Sequence, residues 1–394
     1  MINQRVFAVS RTVAKPFTII NLEKVYGSSF TGGNRVTLLW KGMESFNIIF
    51  DAVRNARAQI CLEFYIFRND ETGAELAQSL KQKAAEGVRV CILYDHFGSL
   101  TTPASFWKRL EQAGVEVRAS HPFKWTSPLH YAHRDHTKMI IIDGHTAFTG
   151  GLNIANEYRG YHPLRKQTGW RDTGIFLEGP IAATLLKRFA ATWAIWKGRN
   201  IGPPNIVPSF QEGVPVLPIF TNSSRSRRWM RKLIYYSINN ACESIYLTTA
   251  YFTPSRRMAE VLGNAVSRGV DVRLLLPGTS DISSAHYAGR AFFTRLLKAG
   301  VRIFNYNGEI LHAKTSVFDR TWSIIGSANL DFLSLRKNDE GNVGISNQEF
   351  GNQLADIFTE DMLKSQEIHL EAWQTRPIKD KIKEHFYALF RRRL

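Results

Sequence analysis

Hydrophobic positions along the chain change period repeatedly, and each change marks a switch between helix and strand. Phe46, Ile49, Phe50 and Val53 recur at the spacing of a helix face and precede an apolar run of strand length at 60–67. Leu76, Leu80 and Ala84 mark one face of a second helix, which Gly87 ends before a strand at 88–94. A third helix around 104–113 closes at Gly114 and gives way to a strand at Val115. The same order then returns. A helix around 229–242 leads to a strand at 244–252, a helix ended by Gly269 to a strand at 270–276, and a helix ended by Gly300 to a strand at Val301. AAEGVRV and VSRGVDV, like EQAGVEV and LKAGVRI, occupy corresponding places. One helix–strand unit is therefore written twice, and such alternation predicts sheets covered by helices on both faces.

The stretch 199–218 is rich in Pro and Gly and has no period, so it reads as a linker. The predicted division is a first repeat over 1–200, a linker over 201–216, a second repeat over 217–375 and a basic amphipathic helix over 376–394. A chain of 394 residues agrees with two cores. The formal net charge of +17 adds a direction, because it favours contact with a polyanion, either nucleic acid or an anionic membrane. Cys61, Cys91 and Cys242 are too few for a disulfide framework, and their apolar settings predict buried thiols.

No stretch approaches the ~20 apolar residues of a membrane span. Arg5, Arg11 and Lys15 interrupt the N-terminal segment, which reads as neither anchor nor secretory signal, so membrane contact is expected to be peripheral. Within 376–394, Ile378, Ile382, Phe386 and Leu389 share one helical face among Lys and Arg, a pattern that suits either an anionic interface or packing on the chain's own domain. The run SSRSRRWMRK at 223–232 is similarly basic.

The chemistry lies in HTKMIIIDGHTAFTGGLN and HAKTSVFDRTWSIIGSAN. His136, Lys138, Asp143, Gly150 and Asn153 match His312, Lys314, Asp319, Gly326 and Asn329, every pair 176 positions apart. One such pattern arises easily by accident; two copies in register do not. Strand alternation puts His136 and Lys138 on one face. With Asp143-Gly144 as a two-residue turn, Ile142 faces His145, Lys138 faces Thr149 and His136 faces Gly151. In that register the glycines bare the backbone for a phosphate, while Asp143 holds the loop rather than touching substrate.

Phosphodiester transfer needs a nucleophile, an acid for the leaving alcohol and positive charge around the phosphoryl oxygens. His136 and His312 supply the first two; Lys138, Lys314, Asn153 and Asn329 supply the third, with no metal or cofactor called for. A working imidazole also needs a carboxylate on its other nitrogen, and Asp172 and Glu340 are the candidates. His130, His133 and His145 have no counterpart in the second half and read as loop or surface residues. His133 with His136 makes no zinc site, since their spacing suits no strand face.

The paired motifs resemble the phospholipase D superfamily. The phrases LEFYIF, DHFGS, GGLNIANEY, FLEGP and GSANLDFLSLRKNDE are similar to bacterial cardiolipin synthases, specifically short members without N-terminal membrane helices. The resemblance spans residues 36–376 and implies two α/β/α sandwich halves, each with a central mixed β-sheet, forming one pseudo-twofold unit around one active site. It implies transfer between two phosphatidylglycerol molecules, giving cardiolipin and glycerol through a phosphatidyl-histidine. His136 would be the nucleophile and His312 the acid and then base. Asp143 and Asp319 count among the family's catalytic motif residues, and the orienting carboxylates come from the opposite half, Asp172 on His312 and Glu340 on His136. Leu333 departs from the arginine many relatives carry there. The expected partner is an anionic phospholipid membrane at the cytoplasmic face of a bacterial inner membrane, with no nucleic acid and no protein partner identifiable. A phospholipase D-type hydrolase or transphosphatidylase acting on other phospholipids and a metal-independent nuclease on the same scaffold are the alternatives. The sequence has no interleaved aromatic stacking platform of the kind single-stranded nucleic acid uses.

Overall fold

The expected elements form within a few residues of their predicted ends. The computed structural model describes residues 17–123, 133–160, 169–204 and 207–391. In the first half these are α1 (Ile19–Tyr26), β1 (Thr31–Leu39), α2 (Gly42–Arg54), β2 (Gln59–Phe64), α3 (Glu71–Ala85), β3 (Arg89–Asp95), α4 (Ala104–Gln112), β4 (Glu116–Ser120), β5 (Lys138–Ile142), β6 (Thr146–Gly150), α5 (Asn156–Arg159), β7 (Gly174–Glu178) and α6 (Pro180–Ile195). The second half has β8 (Val214–Phe220), α7 (Ser224–Asn240), β9 (Ser244–Thr248), α8 (Arg256–Ser267), β10 (Asp271–Pro277), α9 (Ser283–Arg290), α10 (Phe293–Lys298) and β11 (Arg302–Tyr306). It continues with β12 (Thr315–Phe318), β13 (Trp322–Gly326), α11 (Phe332–Arg336), β14 (Gly341–Ser346), α12 (Gln348–Leu363), β15 (Ser365–Ile368), α13 (Leu370–Gln374) and α14 (Ile378–Leu389).

The strands form one mixed sheet in the order β15-β11-β10-β9-β12-β13-β14-β8-β1-β7-β6-β5-β2-β3-β4. The internal duplication is visible in that order: β4-β3-β2-β5-β6-β7-β1 and β11-β10-β9-β12-β13-β14-β8 correspond strand for strand, and β15 is an added edge. In each half three strands run parallel, β2 with β3 and β4, and β9 with β10 and β11, as helix crossovers require. The repeats meet where β1 pairs antiparallel with β8, across a register shift between Thr31 and Asn34.

One apolar cluster packs α2, α3 and α4 on the outer face of the first half, around Phe46, Phe50, Leu76 and Trp107. A second packs α7, α8 and α10 on the second half, around Leu233, Leu262 and Leu296. The third lies between the halves, where Leu185, Phe189 and Trp193 of α6 and Phe350, Leu354 and Phe358 of α12 join strand residues of both.

Three readings are corrected. β8 begins inside the stretch read as linker, because Pro215 and Pro218 give a strand the composition of a loop. Cys61 and Cys91 are buried on neighbouring strands, but Cys242 is exposed beyond the end of α7. The β5–β6 turn has three residues rather than two, with Asp143 at φ 52° and Gly144 at φ 69°, so Ile142 pairs with Thr146 and Met139 with Thr149. The predicted register was therefore one residue out.

Candidate active site

Each histidine is held at the seam by backbone of the other half. The amide of His136 donates to the carbonyl of Asp339 at 2.8 Å, and that of His312 donates to the carbonyl of Arg171 at 2.8 Å. Two parallel bridges, Asp135 with Asp339 and Arg171 with Leu311, fix these crossings. Because Asp339 precedes Glu340 and Arg171 precedes Asp172, the crossings deliver a carboxylate to each ring. Nδ1 of His136 lies 2.9 Å from Oε2 of Glu340, and Nδ1 of His312 lies 2.6 Å from Oδ2 of Asp172. This is the cross-half pairing that the family resemblance implies. With the carboxylates ionised, Nδ1 carries the proton and Nε2 the lone pair.

All four groups, with Lys138 and Lys314, are buried. Burial alone would raise both carboxylates. For Asp172 the neighbouring Lys314 and His312 outweigh it, for Glu340 His136 and Lys138 do, and both end below the usual carboxylate range. Burial pushes the Lys138 ammonium down to about 7 and that of Lys314 to about 8. The Lys138 ammonium is lowered further by Lys314, which puts the two cations in one field. Burial followed by Lys314 takes His312 down to about 4, and burial also lowers His136.

The two copies differ in detail. Lys138 donates to the carbonyl of His136 at 2.8 Å. Lys314 donates to the carbonyl of His312, and its Nζ also lies 2.6 Å from Nδ1 of that ring, crowding the proton there. Asn153 accepts the amide of Ile66 at 3.1 Å, and its buried Nδ2 has no partner. Asn329 accepts the amide of Tyr251 at 3.2 Å in the equivalent place. Together, two imidazoles with fixed tautomers, two buried ammoniums and a free amide donor form a setting for a nucleophile, a proton shuttle and an anionic phosphoryl group.

One reading of the motif changes, that of Gly151, while the turn aspartates hold their loops as the strand register suggested for Asp143. A Cβ on Gly151 would sit 2.0 Å from Asp172, so this glycine makes room for the carboxylate rather than for substrate. Asp143 and Asp319, grouped with the catalytic set, stand at the hairpin turns away from the rings. Asp143 accepts the amides of Arg57, Ala58 and Gln59 at 2.7–2.9 Å, and Asp319 those of Cys242, Glu243 and Ser244 at 2.8–2.9 Å.

Sequence reasoning missed the aromatic walls. Tyr65 stands edge-on to His136 at 4.9 Å, and Trp170, Tyr158 and Tyr251 surround His312 at 5.2, 5.3 and 6.2 Å. It also missed Ser327, whose hydroxyl donates to Glu340 at 2.5 Å; placing GGLN over GSAN sets it opposite Gly151 and could have found it.

His130 lies outside the described residues, and His145 is the third residue of the β5–β6 turn, its ring on Thr146. His133 is engaged rather than free, with Nε2 3.0 Å from Oδ1 of Asp339. His121, His133 and Asp339 bring one ligand atom each within 4.8 Å of one another. A shared zinc ion wants about 3.4 Å between donors, and the Arg227 guanidinium occupies the same Asp339 oxygen at 3.0 Å.

The family model described as cardiolipin synthase, PLD-like domain, matches residues 49–193 and 234–362. The chain is 35% identical over 341 residues to cardiolipin synthase A of Pseudomonas fluorescens SBW25, covering 86% of this chain and 70% of that protein. It is 36% identical over 338 residues to cardiolipin synthase A of Pseudomonas putida W619, covering 85% and 70%. Among solved structures, phosphatidylserine synthase of Haemophilus influenzae Rd KW20 superposes with a TM-score of 0.72 at 12% identity, over 95% of this chain and all of that one, which is a likeness of fold.

Proposed function

The chain belongs to the cardiolipin synthase family with its PLD-like domain, and from that premise we propose that it is a phosphatidyltransferase joining two phosphatidylglycerol molecules into cardiolipin, with release of glycerol. The observation that carries this reading is the pair of buried imidazoles, each with Nδ1 on a carboxylate from the other half and a buried lysine beside it. Nε2 of neutral His136 attacks phosphorus, the bond to the glycerol oxygen breaks, and His312, which enters the cycle as the imidazolium with its second proton on Nε2, gives that oxygen the Nε2 proton. A headgroup hydroxyl of the second phosphatidylglycerol then returns a proton to His312 and attacks phosphorus, and the bond to His136 breaks. Glu340 and Asp172 hold the tautomers and stabilise each imidazolium in turn. Lys138, Lys314 and the free amide of Asn153 gather the phosphoryl oxygens. An oxygen between the lysines draws Lys314 off the His312 ring and lets that ring hold its proton.

The lipid is met at the surface of an anionic membrane, at the cytoplasmic face. No described helix is long and apolar enough to cross a bilayer. α14 is moored by buried Glu384, which pairs with Arg290 at 3.0 Å and Arg376 at 2.6 Å. Ile378, Ile382, Phe386 and Leu389 on the same helix are exposed, which suits insertion at the interface.

Product analysis on phosphatidylglycerol vesicles, with the His136→Ala protein in parallel, tests the proposal. Cardiolipin and glycerol are expected from the wild type alone. Phosphatidic acid would make it a hydrolase, and no lipid product with cleavage of DNA would make it a nuclease.

A further inference from the structure

The basic run at 223–232 has no place in the transfer chemistry, yet it forms the first turns of α7, whose Arg231 lines an open cavity shared with α8 and α11. That cavity, about 710 Å³, is lined by Arg231, Tyr235, Arg256, Arg257, Arg336 and Arg391. A second hollow of about 700 Å³ shares Arg231, Tyr235, Arg257 and Arg336 and adds Arg228 and Lys232. None of the paired histidines, lysines or asparagines lines either.

Among the described residues this positive charge meets little compensation. Among the described residues, Arg228, Arg231, Arg256, Arg257 and Arg336 make no ion pair, whereas neighbouring Arg227 is paired with Asp339. The single lining carboxylate, Asp331, is turned inward to cap α11, accepting the amide of Ser334 at 2.7 Å, and burial pushes it up to about 7. Burial and then the Arg336 charge work against the Arg231 cation and lower its pKa. Arg257 lies over the Tyr235 ring at 4.9 Å, Arg336 over Phe332 at 5.6 Å, and Arg231 donates to the Leu335 carbonyl at 2.6 Å. Guanidiniums held in place around a hollow, with no ionised carboxylate among the described residues to answer them, fit phosphate oxygens.

The position selects the source. The cavity wall includes Thr253–Ser255, just after the Tyr251 that edges His312, and Asp331, two residues past Asn329. Arg391 reaches it from the end of α14, whose exposed stripe suits a bilayer interface. A membrane that takes up this stripe brings its phosphate layer to the cavity. Resting on the lipid reading of the active site, we propose that the arginine cavity is a second, non-catalytic site for the headgroup phosphate of an anionic phospholipid, holding the protein on the bilayer beside its active site.

The test uses the whole protein and an Arg256→Gln/Arg257→Gln/Arg336→Gln variant, all three side chains being exposed and none in the transfer machinery. Vesicles of phosphatidylglycerol in phosphatidylcholine read binding by flotation, and monomeric short-chain phosphatidylglycerol reads turnover without a surface. We expect at least tenfold weaker flotation of the variant, in line with the loss of three cations at an anionic surface, with short-chain turnover within twofold of wild type. An Arg→Lys triple should recover most of the flotation, which separates charge from folding. Equal flotation of wild type and Gln variant overturns the site. Binding of inorganic phosphate to the cavity without effect on flotation makes the ligand a soluble phosphate, and loss of DNA binding in place of flotation makes it a nucleic acid; either overturns the lipid assignment. A wild type that floats through these arginines yet turns over no phosphatidylglycerol refutes the transferase reading alone.

Discussion

Charge on the buried lysines sets the working pH. The folded pKa of Lys138 is about 7 and that of Lys314 about 8, so raising pH through this window removes the cations that receive the phosphoryl group. kcat/KM on monomeric phosphatidylglycerol should therefore fall above pH 7–8, and Lys138→Gln should cost about 10²–10³ in rate, as loss of one such donor does. A profile flat to pH 9 would contradict the assignment. Glu63 is fully buried beside Asp135; burial raises its pKa, and Asp135 is raised well above its usual value. A raised carboxylate binds its proton more tightly folded than unfolded, so wild-type stability should decline as pH climbs from the usual carboxylate range toward the folded pKa. Glu63→Gln removes one ionisation, and its melting temperature should fall less than that of wild type between pH 5 and 8. Parallel curves would show that Glu63 does not titrate there.

At the scale of elements, the duplicated turn aspartates act as clamps. Asp143 and Asp319 each gather three successive backbone amides at the start of a parallel strand, tying the β5–β6 hairpin to β2 and the β12–β13 hairpin to β9. Asp143→Ala should destabilise by about 1–3 kcal/mol, the cost of donors left without a partner. It should leave kcat of the protein still folded at low temperature within a few-fold of wild type. A large loss of kcat with an unchanged melting temperature would instead place Asp143 in the chemistry. The same hairpins show what patterning can and cannot tell. Period and glycine stops placed α2, β2, α3 and β3 within a few residues, because each buries a face that its own segment announces. The hairpin register slipped by one because Asp-Gly favours a two-residue turn, while the three amides awaiting Asp143 select a three-residue one. That choice is made by residues 57–59, more than eighty positions away. β8 was hidden for a related reason, since its place is fixed by β1 and β14 rather than by its own proline-marked sequence.

At the scale of the molecule, the two halves form one site because each completes the other. Repetition at a constant interval made the histidines, lysines and asparagines legible, but an interval is silent about which carboxylate meets which ring; that came from family resemblance, and the geometry shows its physical basis in the crossing backbone bridges at Asp339 and Arg171. Arg171 anchors one crossing. Its guanidinium holds Asp361 of α12 with two bonds, 2.9 and 2.7 Å, and reaches the Thr173 hydroxyl at 2.9 Å, so Asp172 is pinned between two tethered neighbours. Arg171 and Asp361 are both buried, so Arg171→Met strands the Asp361 carboxylate and should destabilise by about 3–5 kcal/mol. The Arg171→Met/Asp361→Leu double variant removes the stranded charge and should recover most of that stability. If Arg171 also positions Asp172, the double variant will melt near wild type yet transfer slowly, with its activity lost in kcat rather than KM. Full recovery of both would confine the pair to stability, and Asp172 would then owe its place to the backbone bridge at Arg171 and the start of β7.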